Sequence, residues 1–242
     1  MNLKGRDLLT LYDFTKEELV EFLRAGEELK IRSRMGEKTH VLSGKKLGMI
    51  FEKPSTRTRV SFEVAMYELG GHAIYLSSSE LQLRRGETIA DTARVLSRYV
   101  DGIMARVYSH KDLVELAKYA TVPVINGLSD MFHPCQVLGD LLTIKEKKGR
   151  LEGLKLTYLG DGNNVCHSLM IGGVKMGLKV FVSTPKEYQP DKEVISMAKE
   201  CEKDGGELHL VEDPIEGVKD TDIIYTDVWV SMGQEDSEIK KK

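Results

Sequence analysis

The sequence predicts an α/β protein built as two doubly wound parallel-sheet domains, spanning 1–149 and 150–242. Three observations carry that expectation. Apolar segments of four to six residues alternate with segments of helical period, the pattern of parallel strands joined by crossover helices. The alternation restarts at Leu154, after a basic, glycine-containing break at 146–153. The chain has 242 residues, 41% of them hydrophobic, enough for one large or two modest cores.

Thr15-Lys-Glu-Glu18 is a capping-box pattern, and it opens a helix with Leu19, Phe22 and Leu23 on one side. Leu47–Phe51 reads as a strand. Ser55 or Thr56 caps the helix that follows it, with Val60, Val64, Ala65 and Leu69 on its apolar side. Ala73–Leu76 is a second strand. Ile89, Ala93, Leu96 and Val100 mark a helix after a polar loop. Ile103–Val107 is a third strand, Asp112–Ala120 a helix and Val122–Ile125 a fourth strand. Pro134 suits the first turn of a helix carrying Val137, Leu138, Leu141 and Leu142, ending near 147–150. The second half supplies strands at 154–159, 178–182, 207–211 and 223–226, with helices through Met176 and near 191–204. A doubly wound domain normally covers its last strand with a helix. The ending at Glu238-Ile-Lys-Lys-Lys242 therefore reads as cut short, with a natural basic tail as the alternative.

A net charge of −3 argues against a nucleic-acid or membrane-surface protein, whose footprint is strongly basic. No apolar run approaches spanning length, and the first residues lack a signal-peptide core. Cys135, Cys166 and Cys201 are widely spaced and odd in number, which fits a reducing cytoplasm. No Cys/His spacing resembles a zinc site.

The segment Phe51-Glu-Lys-Pro-Ser-Thr-Arg-Thr-Arg59 runs from strand into helix and carries the strongest chemical signal. A helix start offers N–H groups and partial positive charge to an anion, and Arg57 adds a planar fork for two phosphate oxygens. Charge-assisted bonds contribute roughly 1.5–3 kcal/mol each, against about 0.3–1 for the dipole, so Arg57 dominates the expected affinity. A merely solvated basic turn would oppose the dipole.

The remaining candidates are open on their own residues. Arg106 ends a strand expected to be buried, so it either faces a ligand or forms a salt bridge. His133 and Gln136, at the start of the 134–148 helix, could point at an anion or carbonyl or be structural. Cys135 reads as a small apolar residue. Gly160-Asp-Gly-Asn-Asn-Val165 follows a strand, but Val165 stands at the third glycine position. The next strand ends in Ser183-Thr184 rather than an acid, so nicotinamide binding is not expected. Asn163 reads as turn support, and Asn164 is exposed at the strand's carboxyl end. In Asp227-Val-Trp-Val-Ser-Met-Gly-Gln234 a carboxylate can take an amine, while Ser231 can orient a carboxylate. The basic loop Leu81–Glu87, with Gln82, is either solvated surface or a lid.

Taken in order, the segments at 51–59, Asp91-Thr-Ala-Arg-Val95, Asn126-Gly-Leu-Ser-Asp130, His133-Pro-Cys-Gln136, 160–164 and 227–234 resemble those of the aspartate/ornithine carbamoyltransferase family, nearly end to end. The Asp227 and Ser-Met-Gly pattern resembles its ornithine-specific members. The resemblance implies an N-terminal carbamoyl-phosphate domain and a C-terminal Rossmann-like ornithine domain, incomplete at its C-terminus. It implies carbamoyl phosphate on Ser55, Thr56, Arg57, Thr58, Arg106, His133 and Gln136, with Gln82 reaching an adjacent subunit's ligand in a homotrimer or multiple of trimers. Arg57, Arg106 and His133 would be catalytic, polarising the carbonyl oxygen. Ornithine would be held by Asn164, Asp227, Ser231 and Met232. The implied reaction gives citrulline and phosphate, in arginine biosynthesis or the reverse direction, with no metal or organic cofactor. Two alternatives stand beside it: a different amine acceptor, or a non-catalytic anion-binding fragment. The family pattern continues into a His-Cys-Leu-Pro segment and C-terminal helices that this sequence does not contain, so full activity of these residues alone is not expected.

Overall fold

Residues 3–78, 81 and 86–227 are described by the computed structural model. They fall into two compact units, Met1–Asp13 with Glu21–Cys135, and Phe14–Val20 with Gln136–Lys242. Helix α1 (Lys16–Arg34) opens at the expected capping box: Glu18 N–H donates to Thr15 Oγ1 at 3.3 Å and Thr15 N–H to Glu18 Oε2 at 2.9 Å.

The first unit is a parallel sheet of β1 (Lys46–Phe51), β2 (His72–Ser77), β3 (Gly102–Arg106) and β4 (Val124–Leu128), in the order β2-β1-β3-β4. Helices α2 (Thr56–Glu68), α3 (Ile89–Leu96) and α4 (His110–Tyr119) connect the strands. Successive strand residues serve opposite faces. Ile50, Ile103 and Ala105 pack with Ala93, Leu113 and Leu116 of α3 and α4, whereas Met49, Phe51 and Met104 pack with Met66 of α2. Burial on both faces of β1 and β3 is why these two strands read as continuous apolar runs, whereas the edge strand β2 is only partly buried.

Two expectations need correction. In α2 the buried side is Met66 with the partly buried Phe62, while Val60 and Val64 are 49% and 47% exposed and Ala65 is also exposed. Seating the larger Phe and Met pair at i and i+4 removes more apolar area than seating the valines. Strand β4 begins two residues later than 122–125 suggested. Its ladder is extended by Leu8, whose N–H donates to Val124 O while Asn126 N–H donates to Leu8 O. A partner from the far N-terminus left no local signal.

The second unit repeats the plan with β5 (Lys155–Leu159), β6 (Lys179–Ser183), β7 (Glu207–Leu210) and β8 (Ile223–Thr226), parallel in the order β7-β6-β5-β8. Helix α5 (Pro134–Lys148) precedes these strands, and α6 (Asn164–Lys175) and α7 (Lys192–Glu200) lie among them. Every residue of α6 after Asn164 is buried, Lys175 included, whose ammonium donates to Phe14 O at 2.5 Å. A short helix, α8 (Pro214–Val218), was not expected. Asp213 caps it by accepting from Ile215 N–H at 2.9 Å, with Pro214 in the first turn.

Candidate active site

In the first sheet the chain leaves β1 for β2 on one side and returns to β3 on the other. The carboxyl ends of β1 and β3, with Phe51 paired to Arg106, therefore form the switch point where open α/β sheets place ligands. Ser55 caps α2 from extended backbone (φ −158°), accepting from Thr58 N–H at 3.3 Å and donating its hydroxyl to Thr58 Oγ1 at 3.0 Å. No acidic residue stands in the first turn of α2. That leaves the polarity of the helix end, and the N–H groups of its first residues, available to an anion.

The two arginines of the motif are used differently. Arg59 lies over the Tyr75 ring at 3.9 Å and pairs through Nε with Glu63 at 2.9 Å, so it serves the helix itself. Arg57 is exposed, and its charge reaches Arg106. Arg106 is 4% exposed and sits where the β3–β4 register slips, Ala105 opposite Asn126 and Arg106 opposite Leu128. Such a bulge re-aims a side chain at the end of a strand. Burial lowers the guanidinium pKa of Arg106, and the charge on Arg57 lowers it further. His133 is pushed down to about 4, chiefly by burial and then by Arg106, so its imidazole is neutral at physiological pH. The charge on Arg57 thus acts on Arg106, and that on Arg106 acts on His133, each lowering its neighbour's pKa. Concentrated positive potential of this kind favours an anionic ligand.

Sequence reasoning missed the brace beneath this group. Glu52 Oε2 accepts from Tyr108 N–H at 2.8 Å, and Lys53, 8% exposed, sits 4.4 Å from the Tyr108 ring centre. The segment after β1 is thereby tied to the segment after β3. Consecutive charges directly after a buried strand were the available signal. Cys135 behaves as read: burial raises its thiol pKa to about 12, and the S–H donates to Asn126 O at 3.3 Å.

The second unit has the same kind of switch point, between β5 and β8, where Leu159 pairs with Thr226. Asn163 caps α6, accepting from Val165 and Cys166 N–H at 3.0 and 3.1 Å. Its amide donates to Asp227 Oδ2 at 2.8 Å. Asn163 is therefore turn support, and it also orients the carboxylate. Asn164 is the first residue of α6, half-buried at the same strand end. A Cβ on Gly162 would lie 2.3 Å from Pro190 N, so this glycine admits the 189–190 backbone and has no need of a pyrophosphate to explain it. Ser231, Met232 and Gln82 lie outside the described residues.

A polar chain unforeseen from sequence also lies in this unit. Gln136 Nε2 donates to Asp140 Oδ1 at 2.9 Å, and Tyr225 O–H donates to Asp140 Oδ2 at 2.8 Å. Tyr225 stacks on Tyr158, with ring centres 5.9 Å apart, and Tyr158 O–H donates to Asp161 O at 2.8 Å. Burial raises the pKa of Asp140, and the charge on Asp227 adds to the rise.

A two-domain α/β protein, with an anion-suited cationic group at one switch point and an oriented carboxylate at another, is the class that fold and geometry define. The chain belongs to the aspartate/ornithine carbamoyltransferase family: residues 6–146 match its carbamoyl-P binding domain and residues 152–242 its Asp/Orn binding domain. It is 62% identical over 236 residues to the ornithine carbamoyltransferase of Thermococcus kodakarensis, covering 97% of this chain and 75% of that protein. Identity to the Pyrococcus horikoshii ornithine carbamoyltransferase is 63%, covering 97% and 74%. The solved structure of the ornithine carbamoyltransferase from Pyrococcus furiosus superposes with a TM-score of 0.96 at 61% identity, covering 100% of this chain and 78% of that one.

Proposed function

We propose that this chain transfers the carbamoyl group of carbamoyl phosphate to the δ-amine of L-ornithine, giving L-citrulline and phosphate. The observation that carries the reading is the Arg57–Arg106–His133 group at the β1/β3 switch point, in the region matching a carbamoyl-P binding domain. Ser55, Thr56, Arg57 and Thr58 take the phosphate oxygens, and Arg106, His133 and Gln136 take the carbamoyl group. Gln82 joins them from an adjacent subunit of a homotrimer or multiple of trimers. Asn164, Asp227, Ser231 and Met232 hold ornithine, Asp227 accepting from its α-ammonium. Family domains matched at 6–146 and 152–242 support a boundary near 149/150. The three free thiols accord with a cytoplasmic setting.

The chemistry follows from these groups. The neutral δ-amine attacks the carbamoyl carbon, a C–N bond forms and the carbonyl π electrons move to oxygen. Arg57, Arg106 and neutral His133 donate hydrogen bonds to that oxyanion, each worth about 10²–10³ in rate. Collapse breaks the C–O bond to phosphate, which leaves with the electron pair, and the amine proton passes to solvent or phosphate. Holding both reactants in place removes much of the bimolecular entropy cost. Phosphate is a good leaving group, so this route needs no metal or organic cofactor.

The test is product formation from carbamoyl phosphate with ornithine, aspartate and putrescine in parallel. Citrulline is expected, with the other two amines inert by comparison. Preference for aspartate or putrescine would overturn the acceptor assignment.

A further inference from the structure

Gln136 stands exposed in the first turn of α5 with a side-chain amide that can present either end, a carbonyl acceptor or an amino donor. Four residues on, and therefore on the same helix face, Asp140 offers only oxygens. Asp140 Oδ1 accepts from Gln136 Nε2, and Oδ2 is occupied by the hydroxyl of Tyr225. Burial keeps the Tyr225 hydroxyl pKa raised, so the phenol stays protonated and donates to Asp140, while its oxygen can accept only from the amino end of Gln136. The Gln136 amide is thus held nitrogen inward, with Oε1 as its outward end. On the reading proposed above, the group it meets is the carbamoyl NH2, which is a hydrogen-bond donor. We infer that Asp140 is a positioning residue: through its bond to Gln136 Nε2 it fixes the amide so that Oε1 selects the carbamoyl group by its N–H.

The alternative is that Asp140 merely ties α5 to β8 through Tyr225. Asp140→Asn separates the two. In that variant Tyr225 keeps its acceptor on the carboxamide oxygen, and the new amino group turns toward Gln136. Gln136 must then rotate to offer Oε1 inward, leaving Nε2 to face the ligand. The hydrogen bonds holding α5 to β8 survive, but the selecting group changes sign.

The measurement is calorimetric titration with carbamoyl phosphate and with acetyl phosphate, which carries a methyl in place of the NH2. The unmodified chain is expected to prefer carbamoyl phosphate, and Asp140→Asn to lose about tenfold of that preference through weaker carbamoyl phosphate binding. Acetyl phosphate affinity and melting temperature should hold. Gln136→Met, at an exposed position, should lose the same preference and keeps the inference testable if Asp140→Asn folds poorly. Preference retained in either folded variant, or both ligands weakened equally by Asp140→Asn, would overturn the inference while leaving the carbamoyl-phosphate reading intact. Absence of carbamoyl phosphate binding by the unmodified chain would overturn both.

Discussion

Arg106 is buried and His133 half-buried next to like or potential positive charge, an arrangement that lowers stability and that a ligand of opposite charge would relieve. Stability follows pH accordingly. His133 titrates near 4 in the fold against about 6.5 unfolded, so between those values the unfolded chain binds the extra proton. Stability is therefore lost as pH falls from about 6.5 toward 4, by at most about 3 kcal/mol from this group. His133→Asn should remove that component. Urea denaturation at pH 7 and at pH 4.5 should show the variant gaining on the unmodified chain at the lower pH, and a gap that does not change would contradict the assignment. At this scale the sequence was informative where chemistry is local. Arg57 was legible because cations at a helix start oppose the dipole, and Asn163 because it stands at an N-cap. Arg106 and His133 stayed ambiguous because their meaning lies in each other, and they are 27 residues apart in the chain. Asp140 gave no signal beyond being four residues from a candidate.

The elements were read well where caps and apolar runs mark them, as at Thr15 and Pro134, and less well where a distant partner decides. The buried side of α2 followed Phe62 and Met66 rather than the more regular valine spacing, and β4 took its start from Leu8. The turn after β5 carries the most exacting demand on an element. Gly162 N–H donates to Tyr188 O at 2.8 Å, and the 189–190 backbone closes over its α-carbon. Gly162→Ala places a methyl against backbone that cannot rotate away. It should cost at least about 2 kcal/mol, read as a lower urea midpoint at unchanged slope. Gly149→Ala, where a Cβ would meet no atom within 4 Å, is the comparison: its positive φ (+76°) costs about 1 kcal/mol by strain alone. Equal loss in the two variants would show that close approach is not what selects glycine at 162.

The two units share one architectural rule: strand order reverses once in each sheet, and the chemically loaded loops follow the two strands flanking that reversal. This much of the molecule was legible from alternation, because short apolar runs bounded by turn residues alternate with longer segments of helical period. Strand order was not, since adjacency in a sheet leaves no mark on a single sequence. The chain spans 74–75% of the length of the Pyrococcus and Thermococcus ornithine carbamoyltransferases cited above. Binding at the first switch point is accordingly the most direct probe of the central claim, that carbamoyl phosphate is held by the strand-to-helix junction at 51–59. Calorimetric titration of the unmodified chain and of Arg57→Ala decides it. Carbamoyl phosphate should bind the unmodified chain and weaken by about 10- to 100-fold in Arg57→Ala, whose exposed position leaves circular dichroism unchanged and whose lost repulsion with Arg106 keeps the melting temperature from falling. Equal affinity in the two proteins, or no binding to the unmodified chain, would contradict it.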